Sequence, residues 1–226
     1  MTEPKLGGGK PQRVGLISGL LEEAQAFRPG QGEVDSNRPF YCRHDGDFTV
    51  ACSGIGKVNA SIAAACLIDH GCDLLVSLGV AGRLCEGALG PHWIVEAVQH
   101  DYGARRPNEF ARYCAGSLPF GDSELEAYTS IDDPGLGLPK ARILTGDCFL
   151  EDEAQAVELG QTLDGELIDM ETGAIAQVAY MFGVPWAGIR SVSDAADVGS
   201  VADFQRNLDR AAREAAIAAD RLLKLL

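Results

Sequence analysis

Two five-residue runs, Val14–Ser18 and Leu74–Leu78, carry no charged side chain and end in Gly19 and Gly79. Neither alternates polar with apolar residues, so each reads as a strand covered on both faces. The intervening segments supply the cover. Leu20–Phe27 reads as a helix broken by Pro29-Gly30, and Asn59–His70 is Ala-rich with helical spacing and closes at Gly71. Thr172–Phe182 is a third helix, ended by Gly183 and Pro185. Ser200 can cap the last one, along which Val201, Phe204, Leu208, Ala211, Ala215, Ala219, Leu222 and Leu226 recur at three and four. Further strands are expected at Trp93–Val98, Ala141–Thr145, Leu167–Met170 and Trp186–Val192, with a hairpin over 36–53. Loops and one short helix are expected over 103–139. This alternation predicts an α/β protein, a three-layer αβα sandwich with a central mixed sheet. Residues 1–12, containing Gly7-Gly8-Gly9 and Pro11, read as a flexible leader, and 13–226 as a single domain.

Charge narrows the partners. Lys plus Arg number 19 against 33 Asp plus Glu, a net charge of −14, which disfavours nucleic acid and anionic membrane surfaces alike. The seven cysteines form no C-x-x-C pair and the four histidines no ligand pair, so neither a disulfide framework nor a metal is expected, and no residue pattern calls for a cofactor. Met1–Arg13 lacks the apolar core of a signal peptide, and no apolar run approaches the ~20 residues of a membrane span. The chain therefore reads as a cytoplasmic protein.

In open α/β sheets ligands gather where strands run into loops. Four polar clusters occupy such places: Glu22-Glu23, Ser53-Gly54-Ile55-Gly56-Lys57, Asp169-Met170-Glu171 and Arg190-Ser191-Val192-Ser193-Asp194. Each has a plain alternative. Glu22 and Glu23 also suit the positive end of a helix, Gly54-Ile55-Gly56 a tight turn, Asp169 and Glu171 helix capping, and Asp194 a turn. Arg190 is different, because a guanidinium inside an apolar strand requires a carboxylate or ligand anion within reach.

Taken together, these residues resemble the nucleoside phosphorylase and nucleosidase superfamily, most closely the 5′-methylthioadenosine/S-adenosylhomocysteine nucleosidases. The matching segments are Val14-Gly15-Leu16-Ile17 with Glu22-Glu23, Ser53 through Ala60, Gly79-Val80-Ala81-Gly82, Thr145 through Phe149, Asp169 through Ala174, and Val184-Pro185 through Asp197. The resemblance implies cleavage of the N-glycosidic bond of a purine nucleoside, probed by a site in which Glu23 holds water as general base with Arg190 assisting. Asp194, oriented by Ser193, protonates the purine or shares a hydrogen bond with it. Glu171 grips the ribose hydroxyls, Met170 lines the sugar, Phe149 stacks on the base with Leu150 beside it offering backbone contacts, and Val80 and Gly82 are further substrate-binding positions. A homodimer is also implied. The family's phosphorylases use an arginine three residues before a loop serine; Ser77 and Val80 stand there, which favours hydrolysis. A phosphorylase using a displaced arginine such as Arg83, a hydrolase of a futalosine-like or adenosyl-lipid nucleoside, and a non-catalytic nucleoside binder are the alternatives.

Overall fold

The computed structural model describes residues 10–36, 39–121 and 125–226. Along the chain run β1 (Val14–Ser18), α1 (Leu21–Ala26), β2 (Glu33–Ser36), β3 (Tyr41–Asp45), β4 (Phe48–Cys52), α2 (Lys57–Asp69), β5 (Leu74–Arg83) and β6 (Pro91–Gln99). There follow β7 (Gly103–Arg106), β8 (Glu109–Arg112), β9 (Ala127–Thr129), β10 (Lys140–Thr145), α3 (Glu153–Leu163), β11 (Leu167–Asp169), α4 (Thr172–Phe182), β12 (Trp186–Asp194) and α5 (Ser200–Leu225).

The main sheet is mixed, in the order β11-β10-β6-β12-β5-β1-β4-β3-β2, with β9 on β6. Strand β11 also pairs antiparallel with the far end of β5, Leu167 opposite Arg83 and Ile168 opposite Gly82. Five strands thereby close into a ring while β1, β4, β3 and β2 continue as an open sheet. That closure brings the C-terminal ends of β1, β5, β11 and β12 together, and every polar cluster singled out after a strand lies near this junction.

Alternation along each strand divides the core. Leu16, Val76 and Ile189 pack with Phe27 and the α5 residues Ala215, Ala219 and Leu222. Their neighbours Ile17, Leu75 and Ala51 face the other way, onto Ala60, Ala63 and Leu67 of α2 and Ile175 and Ala179 of α4. Small alanines on the helix faces let the backbones approach the sheet closely, and both faces of β1 and of β5 as far as Gly82 are dry, as those uncharged runs require.

Several local expectations change. The 103–139 stretch contains no helix among its described residues; β7 and β8 form a separate two-stranded hairpin there and β9 pairs antiparallel with the C-terminal part of β6. Helix α3 is not anticipated by pattern because its run, with Gly160 inside, buries only Ala156 and Leu159; the Asp152 side chain caps it by accepting from Gln155 N at 3.1 Å. Helix α2 begins at Lys57 instead of Asn59. Ser200 is the first residue of α5, not its cap, and its hydroxyl accepts from Asp197 N at 2.7 Å. Of the leader, residues 1–9 lie outside the described residues, while Gln12 N donates to Asp73 at 2.8 Å.

Candidate active site

A cleft of about 480 Å³ opens at the strand junction. Eight of the residues expected there line it: Glu23, Val80, Gly82, Phe149, Met170, Glu171, Ser193 and Asp194. Leu150 lies instead in a small adjoining cavity with Cys148, which also touches Asp194. Arg190 does not reach the cleft wall; it is buried beneath it.

The geometry follows from what the backbone offers. Strand β1 ends at Gly19 and turns into α1, whose first turn carries Glu23 inward. Its Oε2 accepts from Leu20 N at 2.9 Å and its Oε1 from Val80 N at 2.8 Å. The cleft carboxylate of Glu23 thus also satisfies the amide that precedes α1. Glu171, between β11 and α4, accepts from Gly56 N at 3.0 Å, the amide that precedes the first residue of α2. Gly54 and Gly56 have φ of +85° and +99°, so this turn requires glycine, and the positive end of α2 faces a carboxylate. Asp194 closes β12, held by Ser193 Oγ on Oδ2 at 2.8 Å and Ala196 N on Oδ1 at 3.1 Å.

Beneath the cleft, Arg190 finds the carboxylate its sequence context demands. Its Nη2 lies 2.8 Å from Asp169 Oδ2 and its Nη1 3.6 Å from Glu171 Oε2. Ser77 Oγ, Thr172 Oγ1 and Val80 O accept its remaining hydrogen bonds. Asp169 also receives Thr172 N and the hydroxyls of Thr145 and Thr172, so it caps α4 as well as neutralising the arginine.

One guanidinium thus faces three buried carboxylates, Asp169, Glu171 and Glu23. Burial raises the Glu23 pKa above its ordinary value, against the opposing pull of Arg190 and two backbone amides. Burial likewise lifts Glu171, to about 7, with Arg190 opposing and Asp169 and Glu23 adding to the rise. A carboxyl that binds its proton more tightly folded than unfolded contributes stability at low pH and loses it as pH climbs through the folded value. Glu171→Gln, which keeps an acceptor for Gly56 N, is therefore expected to gain melting temperature over the parent at about pH 8 relative to about pH 5. Thermal unfolding of both proteins at the two pH values measures this; an equal offset at each would contradict it.

Three glycines make room for three carboxylates. A Cβ built at Gly79 would stand 2.5 Å from Glu23 Oε1 and 2.7 Å from Arg190 Nη1; at Gly19, 2.9 Å from Glu171 Oε1; at Gly82, 2.9 Å from Asp194 Oδ1. The sequence marks Gly19 and Gly79 only as strand ends and gives no signal for the space they leave or for Asp169's pairing with Arg190. It also placed Phe204 in the core stripe of α5, whereas its ring lines the cleft edge-on to Phe149, centroids 5.9 Å apart. Leu20, Ile55 and Ile168 add further apolar wall, and periodicity gave no signal for any of them. No Lys or Arg lines the cleft among the described residues, and Arg83 reaches outward to Gly87 O at 3.5 Å.

Residues 8–224 match the family model described as the phosphorylase superfamily. The chain is 30% identical over 250 residues to a 5′-methylthioadenosine/S-adenosylhomocysteine nucleosidase of Mycobacterium bovis, covering 96% of this chain and 94% of that protein. Its fold is similar to that of the Helicobacter pylori 5′-methylthioadenosine/S-adenosylhomocysteine nucleosidase (TM-score 0.80, 23% identity, 95% and 99% of the two chains). It is equally similar to futalosine hydrolase from the same organism (TM-score 0.80, 22% identity, 95% and 98% covered). A family match over nearly the whole length, together with a relative so extensively aligned, means that this chain belongs to the phosphorylase superfamily, among its nucleosidase-type hydrolases.

Proposed function

We propose that the protein hydrolyses the N-glycosidic bond of a 5′-modified adenine nucleoside, releasing the free base. The observation that carries this reading is the pairing of two buried carboxylates, Glu23 and Glu171, with Asp194 around one cleft that no cation lines among the described residues. Departure of a purine leaves a ribose with oxocarbenium character, and negative charge near that centre is worth more in the transition state than in the ground state. Glu171 accepts the ribose hydroxyls on its free lone pairs. Glu23, made more basic by burial, takes a proton from water as its oxygen attacks the anomeric carbon. Arg190 acts from below: by balancing Glu171 and Asp169 it keeps the cluster from neutralising itself wholly by protonation. Asp194 gives a proton to the leaving base, with Ser193 fixing its orientation. Phe149 covers the base plane, and Leu20, Ile55, Val80 and Phe204 offer an apolar setting for a 5′-substituent.

Phosphate is a poor nucleophile here because it would meet Glu23 and find no lining cation. The test is a panel of methylthioadenosine, S-adenosylhomocysteine, adenosine, inosine and a bulky 5′-adenosyl compound, each with and without phosphate. Free adenine and free sugar at a phosphate-independent rate are expected. Ribose-1-phosphate as product would overturn the hydrolytic assignment, and an absence of base release from every compound would overturn the enzyme.

The same proposal places the enzyme in the cytoplasm as a homodimer. Among the described residues, no helix is long and apolar enough to cross a membrane. Support for the homodimer is an exposed apolar surface of Ile55, Val58 and Ile62 beside the cleft, which suits a second copy.

A further inference from the structure

The Glu171 carboxylate depends on a backbone amide, and that amide is itself held from elsewhere. Gly56 N donates to Glu171, and the next amide, Lys57 N, donates to Asp147 Oδ1 at 2.8 Å across a sequence gap of 90 residues. Asp147 belongs to the opposite loop, two residues before Phe149. Asp101 joins the two sides: its Oδ1 accepts from the Lys57 ammonium and its Oδ2 from Asp147 N at 2.8 Å. Lys57 Nζ also lies 3.9 Å from Asp147 Oδ2.

We propose that Lys57, Asp101 and Asp147 are positioning residues, a clamp that locks the Gly56 turn to the Phe149 loop and thereby sets how Glu171 meets the substrate ribose. The proposal rests on the nucleosidase reading for the identity of that substrate. The components fit the task. The Asp147 carboxylate accepts from the first amide of α2, where the helix dipole favours it, and Asp101 accepts from the Lys57 ammonium and from Asp147 N. The Lys57 and Asp101 side chains are mostly shielded from solvent, so their pairing is less screened than a surface ion pair. Burial pushes the Asp101 carboxyl up, but the hydrogen bonds from Lys57 and Asp147 N outweigh it and hold the group below the ordinary range. His100, packed under Gly146 and depressed by burial, faces the clamp and adds no competing cation near neutral pH. The charged groups facing Glu171 itself are Arg190 from β12, Asp169 from β11 and Glu23 from α1.

A loosened clamp lets the Gly56 amide drift from Glu171. Losing that donor disfavours the ionised carboxylate, so its titration moves to higher pH and the grip on the ribose weakens. The experiment uses Asp101→Ala and the half-exposed Asp147→Ala, which remove the acceptors outright, each checked for folding by near-UV circular dichroism. Expected results are a KM for methylthioadenosine raised about tenfold with kcat within about threefold, the pattern of lost uniform binding. The acid limb of kcat/KM should move up by about half a pH unit, and the ¹⁵N-detected titration of the Gly56 amide should move with it. Folded variants in which KM, the acid limb and the Gly56 titration all match the parent would overturn the clamp, as would a fall confined to kcat. If the parent protein releases no base, the substrate reading fails, and the Gly56 titration still decides the clamp by itself.

Discussion

Asp194→Asn is expected to cut the rate of base release by about 10²–10⁴-fold while nucleoside binding stays within a few-fold of the parent, the range typical of a missing general acid. The amide has the shape of the carboxyl but no proton to give. The fold tolerates it for a specific reason: Ser193 Oγ, which now donates to Asp194 Oδ2, can turn to Ala81 O at 3.2 Å and accept from the new amide. Ala196 N keeps its acceptor in Oδ1. Stopped-assay detection of free adenine gives the rate, and calorimetry with methylthioadenosine gives the affinity. A variant as active as the parent would remove Asp194 from the chemistry.

Gly79→Ala is expected to lower kcat/KM by about 10²-fold, the cost of misplacing catalytic groups by around an ångström. The added methyl collides with Glu23 Oε1 and Arg190 Nη1. Neither is the free end of a flexible chain. Glu23 is tied by the amides of Leu20 and Val80, and Arg190 by Asp169, Ser77, Thr172 and Val80 O. Relief requires moving the base or breaking the buried network, with a loss of about 1–3 kcal/mol in stability for overpacking. Gly87→Ala, where a methyl meets nothing within 4 Å, is the control and should match the parent in rate and melting temperature. Equal activity in Gly79→Ala would mean that Glu23 does not need its observed position.

Much of this site is legible in the chain because its carboxylates stand at the ends of strands too apolar to tolerate them elsewhere. Glu23 and Glu171 follow a strand, Asp194 ends one, and Arg190 interrupts the same one. What remained illegible is what depends on distance. Asp169 could be recognised as a cap for α4, yet its pairing with Arg190 joins β11 to β12, which are not neighbours in the sheet order. Phe204 has the spacing of a core residue and becomes a cleft wall only because the first turns of α5 overhang the junction. Residues 103–139 gave the weakest reading because their strands are short, two of them pairing only with each other and the third with part of β6, so that packing, not periodicity, selects the conformation.

The linear order of residues settled where the buried strands of the main sheet run, which of their faces must be dry and which side chains are too costly to bury without purpose, since burial and periodicity act over a few positions at a time. It could not settle that β11 returns to β5 and closes the ring. Gly79 and Gly82 meet their carboxylates through the β1–β5 and β5–β12 pairings, but only the closure sets Gly19 against Glu171. It also lets the amide at the start of α2 point at Glu171, because long-range pairing is decided by the sum of many contacts and by no local signal.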